Sequence, residues 1–389
     1  MAMFHRRQTL PDRSFFLLGP RGTGKTTWLR SGLATARWYN LLLDRELLRL
    51  MRQPDAFRLE VDALPPGSWV VVDEVQKLPS LLNDVHDVLS AHPRRLRFAL
   101  TGSSARKLRR ADVNLLAGRV VSRGFFPLTL AELGDAPEVA DLLCFGMLPL
   151  VRGESDAAAR IDLLEAYVDT YIAQEIRAEA LVRNLDSFTR FLDVAALANG
   201  QATSVASIAR DAAVARPTVQ GYFDVLVDTL VGVWLPAWRP RAKVKEVAHP
   251  KFYFFDPGVA RGLARRLREP LDSAERGPLL ETWVLHELRA FINASGCGGQ
   301  LAYWRTPAGT EVDFIWTRGR HAVGIEVKAN REWRAIFGSP LKQLLASRTI
   351  RRGIGVYTGS RRLRDGDLDV LIAAEFAREL DAGTIIGDA

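Results

Sequence analysis

The residues Gly19 to Thr26 read Gly-Pro-Arg-Gly-Thr-Gly-Lys-Thr, the spacing of a phosphate-binding P-loop. A turn without bulky side chains lets backbone N–H groups converge on phosphate oxygens, and the N-terminus of the next helix adds positive potential. Lys25 would reach the β- and γ-phosphates of a nucleotide, and Thr26 would hold Mg²⁺ through its hydroxyl. The expected nucleotide contacts are Gly19, Pro20, Arg21, Gly22, Thr23, Gly24, Lys25, Thr26 and Thr27. A Gly-rich turn carrying Lys-Thr by chance is the bland alternative. The apolar run Ser14-Phe15-Phe16-Leu17-Leu18 before it and the helix-compatible Thr27-Trp28-Leu29-Arg30 after it argue against that.

A second set of reactive groups follows. Trp69-Val70-Val71-Val72-Asp73-Glu74 reads as a buried parallel strand ending in two acids, a Walker B pattern. Asp73 would share the Mg²⁺, and Glu74 would polarise the water that attacks the γ-phosphate. Another apolar strand, Arg97-Phe98-Ala99-Leu100, ends in Thr101-Gly102-Ser103-Ser104, where the small hydroxyl of Ser103 is placed to sense the γ-phosphate; a plain turn is the alternative.

Farther along, Glu311–Trp316 and Val323–Lys328 read as two strands around a turn at Gly319. Glu326 and Lys328 lie two residues apart and project from one face, and pairing of the hairpin can set Asp313 beside them. Two carboxylates there would hold Mg²⁺ while the ammonium orients or activates a water, which is what phosphodiester cleavage requires. A solvated face on an edge strand is the competing reading. The six histidines show no metal-ligand spacing and are expected at the surface or in packing.

The elements that must position these groups follow from pattern. Residues 1–133 alternate short apolar strands with helical stretches, as in a doubly wound parallel sheet. After a polar break at Gly134-Asp135-Ala136-Pro137, apolar residues recur at helical spacing from Ala157 to Leu181 and from Leu185 to Asn199, predicting a helical lid or linker over 134–200.

Residues 201–256 read as a winged helix-turn-helix: a helix from Val205, a break at Ala212 to Ala215, then a helix with Pro217 in its first turn that presents Thr218, Gln220 and Gly221 outward. Val231–Leu235 and Lys251–Phe255 would be wing strands, with Arg239, Arg241, Lys243 and Lys245 sharing one side of the segment between them to track phosphates. Use of this fold purely as a scaffold is the alternative. Residues 257–389 are expected to form an α/β domain whose amphipathic helix Leu279–Phe291 carries Glu281, His286 and Glu287. The expected fold class is therefore α/β: a P-loop parallel sheet, a helical linker, a winged helix and a C-terminal nuclease-like domain.

Composition sets the outer bounds. With 389 residues the chain is long enough for two or three domains, and 48% hydrophobic with 25% charged content is ordinary for a globular protein. A net charge of +8 favours an acidic partner such as DNA. Two cysteines, Cys144 and Cys297, support neither a disulfide framework nor a metal cluster. Apolar runs fall short of the ~18 residues of a membrane helix, and Met-Ala-Met-Phe-His-Arg-Arg lacks a secretory apolar core, so a cytoplasmic, membrane-free location is expected.

Together, Gly19–Thr26, Val70–Glu74 and Leu100–Ser104 resemble the core of AAA+ ATPases. More narrowly, Asp73-Glu74-Val75-Gln76-Lys77, Leu116-Ala117-Gly118-Arg119, Phe126-Pro127-Leu128, Tyr167–Tyr171, Tyr253–Asp256 and Glu326-Val327-Lys328 resemble a prokaryotic group that joins an AAA-type ATPase to a C-terminal module of unknown function. The resemblance implies ATP and Mg²⁺ as cofactors. It also implies an arginine supplied by a neighbouring subunit to neutralise transition-state charge, hence self-association, as a ring of about six by analogy. Arg119 is the candidate, with Arg106 and Arg123 as alternatives. Asp313 with Glu326-x-Lys328 resembles the PD-(D/E)XK nucleases, and Glu281 matches their helical glutamate. The function expected is ATP-driven remodelling or translocation of DNA, branched DNA included, with or without cleavage. The alternatives are a nucleotide-dependent switch and a protein remodeller whose C-terminal module docks a partner. GTP is not distinguished from ATP by any residue in the sequence.

Overall fold

The computed structural model describes residues 4–104, 116, 118–134, 137–172, 184–239 and 249–386. They divide into two compact units: Gln8–Pro127 with Asp228–Leu230, and the remainder. The first unit is a five-stranded sheet built from β1 (Phe15–Leu18), β2 (Arg37–Asn40), β3 (Trp69–Asp73), β4 (Arg97–Gly102) and β5 (Val121–Gly124), in the order β2-β3-β4-β1-β5. Every pairing in it is parallel.

Alternate residues of the central strands serve opposite faces, as a pleated strand dictates. Phe16, Val70, Val72, Phe98 and Leu100 pack with Phe57, Val61, Leu81, Val85 and Val88 on one side, while Phe15, Leu17, Val71 and Ala99 pack with Leu29 and Leu33 on the other. Burial on both faces explains why these strands read as unbroken apolar runs. Because β4 lies between β3 and β1, the carboxyl ends of all three are neighbours, which is where ligands of open α/β sheets are held.

The second unit contains a six-stranded mixed sheet of β8 (Gln300–Arg305), β9 (Glu311–Arg318), β10 (His321–Lys328), β11 (Arg352–Tyr357), β12 (Leu363–Asp365) and β13 (Leu368–Ile372), ordered β12-β13-β11-β10-β9-β8. It also holds a separate antiparallel pair, β6 (Gly232–Leu235) with β7 (Lys251–Phe254). The sequence expectation of an α/β chain with a parallel-sheet core and a separate C-terminal sheet domain holds. One apolar cluster runs through this unit, from Leu142 and Val151 through Phe191, Phe223 and Phe252 to Trp283, Phe314 and Phe376.

One local expectation is corrected. The helix carrying Glu281 spans Ser273–Ser295, opened by a capping box of Asp272 and Glu275, and from Leu279 to Ala290 it is buried on nearly every side rather than amphipathic. It packs against β10, the Ala373–Asp381 helix and the Pro257–Leu263 helix at once, which covers its middle turns on several sides. The helix begun at Ala157 ends at Ala166 and continues as a π-helical turn over Tyr167–Ile172, with Leu164, Tyr167 and Val168 buried. Residues 173–183 of the expected helical stretch lie outside the described residues.

Candidate functional site

The P-loop joins β1 to the helix Lys25–Gly32. Gly19 follows the strand where its backbone runs against β5's exit: a Cβ added there would come within 2.0 Å of the Phe125 carbonyl oxygen. Gly22 and Gly24 have φ of 75° and 92°, left-handed values that let the loop curl back on itself. Thr23 Oγ1 donates to the Pro20 carbonyl at 2.9 Å. Lys25, 6% exposed, donates through Nζ to the carbonyls of Gly19 at 2.7 Å and Pro20 at 3.1 Å. Its ammonium is therefore held against the loop's own backbone carbonyls.

The acids at the end of β3 meet this loop. Thr26 Oγ1 donates to Asp73 Oδ2 at 2.9 Å, so the expected hydroxyl and carboxylate stand together and fit as the holders of Mg²⁺. Burial raises the Asp73 carboxyl above its ordinary value, opposed by the hydrogen bonds from Thr101 and Thr26. Glu74 is buried and has φ 60°, a left-handed conformation unusual for a residue with a side chain.

Three groups secure the bend at Glu74. Thr101 Oγ1 accepts from the Glu74 backbone N–H at 2.9 Å and donates to Asp73 Oδ1 at 2.5 Å. Ser103 Oγ donates to Glu74 Oε2 at 2.8 Å, and Gln76 Nε2 donates both to that oxygen and to Ser103 Oγ. Ser103 thus engages the candidate water-polarising glutamate itself. Thr101 and Gln76 were not singled out from sequence. The signal was available for Thr101, which lies one residue beyond an apolar run on the strand beside β3.

Arg119 is exposed and follows a turn at Gly118 with φ 78°; Arg123 Nη1 lies 3.4 Å from the Ser122 carbonyl oxygen. Arg106 and Ala117 lie outside the described residues.

In the second unit, the antiparallel register of β9 and β10 ends with Phe314 paired to Ile325, and Asp313 and Glu326 are the next residues on each strand. Asp313 Oδ2 accepts from the Val327 backbone N–H at 2.8 Å, and Lys328 Nζ lies 3.9 Å away while donating to Glu326 Oε1. Glu281 joins the group from its helix, and its carboxyl is pushed up to about 7 by burial and by the charge of Asp313. Glu326 is likewise raised, by burial first and then by Asp313. Sequence reasoning thus named a set that the fold does assemble.

It missed a buried cation in the cluster. Lys251, 4% exposed on β7, places Nζ 2.5 Å from Glu311 Oε1, 3.3 Å from Glu281 Oε2 and 3.7 Å from Asp313 Oδ1. Burial alone would lower its pKa, but the charges of Glu281, Asp313 and Glu311 hold it above the ordinary lysine value. Tyr253 Oη donates to Glu281 Oε2 at 2.6 Å. Sequence reading gives Lys251 only a place at the start of a wing strand. Among the described residues no group of three or more His, Cys, Asp or Glu is arranged to hold a metal ion.

The helix pair expected at 205–228 is present as Val205–Asp211 and Arg216–Asp228, with Thr218 and Gln220 exposed and Gly221 half-buried. The hairpin after it departs from an exposed wing. All of β7 is buried, and Tyr303 of β8 exchanges backbone hydrogen bonds with Pro236 and Trp238, which ties the hairpin to the C-terminal sheet. Arg239 is exposed, whereas Arg241, Lys243 and Lys245 lie outside the described residues.

Comparison with known proteins gives three family matches along the chain. Residues 11–134, which make up most of the first unit, match the model of an AAA domain family. Residues 136–269 and 276–376 match two domains of unknown function, DUF8612 and DUF4143. An uncharacterised protein of Mycobacterium tuberculosis and one of Mycobacterium bovis are each 27% identical over 371 residues, covering 92% of this chain and 79% of theirs. Among solved structures, the Aeropyrum pernix ORC2 protein with ADPNP and ADP is 12% identical with a TM-score of 0.35, over 66% of this chain and 87% of that one. The Aeropyrum pernix ORC1 protein in complex with DNA is 14% identical with a TM-score of 0.28, over 66% and 87%. Among the described residues no helix is long and apolar enough to cross a membrane.

Proposed function

We propose that this chain hydrolyses ATP with Mg²⁺ at the P-loop and uses that turnover to act on DNA. The observation that carries the reading is the convergence of Lys25, the Thr26–Asp73 pair and Glu74 at the carboxyl ends of adjacent strands. Bound Mg²⁺ would supply charge neutralisation on the β- and γ-phosphates. The chain's own part is positional. Gly19 to Thr27 cradle phosphate, Lys25 brings an ammonium to it, and Glu74 orients the attacking water in a bend fixed by Thr101. Arg119, exposed, is the arginine we assign to a neighbouring subunit's site, which makes the active form an oligomer, and a ring of about six is the arrangement that analogy with AAA+ assemblies suggests.

DNA engagement is supported by the net charge of +8, by the exposed Thr218 and Gln220 on the second helix of the pair, and by Arg239. We keep 1–133, 134–200, 201–256 and 257–389 as the functional division: ATPase core, helical linker, winged helix and nuclease-like module. The burial of β7 favours a second reading, in which the hairpin and C-terminal module form one platform for a protein partner and nucleotide acts as a switch.

The test is steady-state ATP hydrolysis with and without single-stranded, duplex and four-way-junction DNA, followed by a denaturing gel of the DNA. DNA-stimulated turnover lost in Lys25→Ala is the expected result. Turnover indifferent to every DNA would move the weight to the switch or the protein remodeller.

A further inference from the structure

The fold family suggested for the C-terminal module uses its carboxylates to hold a divalent cation, and the donor set here does not fit one. Such an ion takes about six oxygens at about 2.1 Å, supplied by carboxylates with free lone pairs and by water. The place such an ion would take among these carboxylates already holds Lys251 Nζ, 3.3 Å from Glu281 Oε2 and 3.7 Å from Asp313 Oδ1, while Tyr253, Val327 and Lys328 each donate to one carboxylate oxygen of Glu281, Asp313 and Glu326 in turn. Only Glu326 Oε2 in this set is buried without a hydrogen-bond partner among the described residues.

We propose that the Lys251 ammonium stands in for the divalent cation, as a built-in counter-ion shared by Glu281, Glu311 and Asp313. One charged nitrogen lies within 3.7 Å of oxygens from all three carboxylates. Its stem runs in a strand buried throughout, beside Tyr303, whose ring centroid is 5.5 Å from Nζ and whose hydroxyl donates to the His249 carbonyl. A surface lysine could swing aside for an incoming ion, whereas this one has no solvent to swing into. Three separate pieces of chain converge on it: β7 of the hairpin, the Ser273–Ser295 helix and β9 of the C-terminal sheet. The ammonium therefore fastens the hairpin to the sheet with charge, and the carboxylates are occupied by the protein's own cation.

The inference stands apart from the ATPase reading, and its test uses the full-length chain without nucleotide. Mn²⁺ binding is followed by the electron paramagnetic resonance of the free ion, in wild type, Asp313→Asn, Lys251→Met and the Lys251→Met/Asp313→Asn double variant. Methionine keeps the length of the side chain and removes the charge. Wild type and Asp313→Asn are expected to bind Mn²⁺ alike. Lys251→Met leaves four carboxylates facing a single ammonium, and it is expected to gain one site at least about tenfold tighter than any in wild type, lost in the double variant. Asp313-dependent Mn²⁺ binding by wild type would overturn the proposal, and that comparison holds even if Lys251→Met does not fold. A folded Lys251→Met that gains no site would overturn it as well.

Discussion

Replacing Thr101 by valine removes one hydroxyl and keeps the side-chain shape. That hydroxyl is fully buried and serves two partners, accepting from Glu74 N–H and donating to Asp73 Oδ1. Each buried group left unpaired costs about 1–3 kcal/mol, so the first unit should lose roughly 2–6 kcal/mol. The loss falls on a backbone already bent into the left-handed region at Glu74, where a strained conformation costs about 1–3 kcal/mol and needs its contacts to persist. Relaxation of that bend would move both acids away from the P-loop. We expect kcat for ATP hydrolysis to fall about ten- to a hundredfold, the scale of a misplacement near 1 Å, with KM for ATP changed little because the loop itself is untouched. Thr101→Ser keeps the hydroxyl and should stay within a few-fold of wild type. The assay pairs steady-state hydrolysis with the thermal midpoint of each variant. A folded Thr101→Val that matches wild type in both, or a serine variant that falls as far as valine, refutes the reasoning.

Other outcomes follow from the same geometry. Gly19→Ala drives a Cβ into the Phe125 carbonyl, so nucleotide affinity in equilibrium titration should drop and stability fall by about 1–3 kcal/mol; unaltered binding would show that the loop gives way freely. Glu74→Gln should retain ATP binding while turnover falls at least about a hundredfold, and single-turnover hydrolysis at wild-type speed would remove Glu74 from its assigned role. Glu287, buried and accepting from Leu130 N–H, has its carboxyl pushed up to about 8 from 4.5 by burial. Between those values the folded chain keeps a proton that the unfolded chain releases. Its stabilising contribution is therefore complete below the lower value and declines by up to about 1.4 kcal/mol per pH unit until the upper one. Glu287→Gln should flatten that decline in melts taken from about pH 5 to about pH 8. The neighbouring His286, lowered to about 4 by burial, contributes the opposite slope on the acid side, so the informative quantity is the difference between variant and wild type, and parallel curves would count against the assignment.

The P-loop, the Asp73–Glu74 pair and the strand-helix alternation around them were legible because local chemistry dictates them. A turn that must curl around phosphate needs glycine at Gly22 and Gly24, and a parallel strand buried on both faces must be apolar along its length, as Val70–Val72 is. The Asp313, Glu326 and Lys328 grouping was legible for a similar reason, since a two-residue period and a short turn at Gly319 fix which side chains share a face. Tertiary structure alone decided which strands are neighbours, and with that the roles of Thr101, Ser103 and Gln76 around Glu74. It also decided that the middle of the Ser273–Ser295 helix, from Leu279 to Ala290, is mostly buried and that Lys251 turns inward to three carboxylates distant in sequence. A lysine in a sequence carries the same charge whether it faces water or a buried cluster; only the packing of β7 against the C-terminal sheet removes the water and gives that charge its partners.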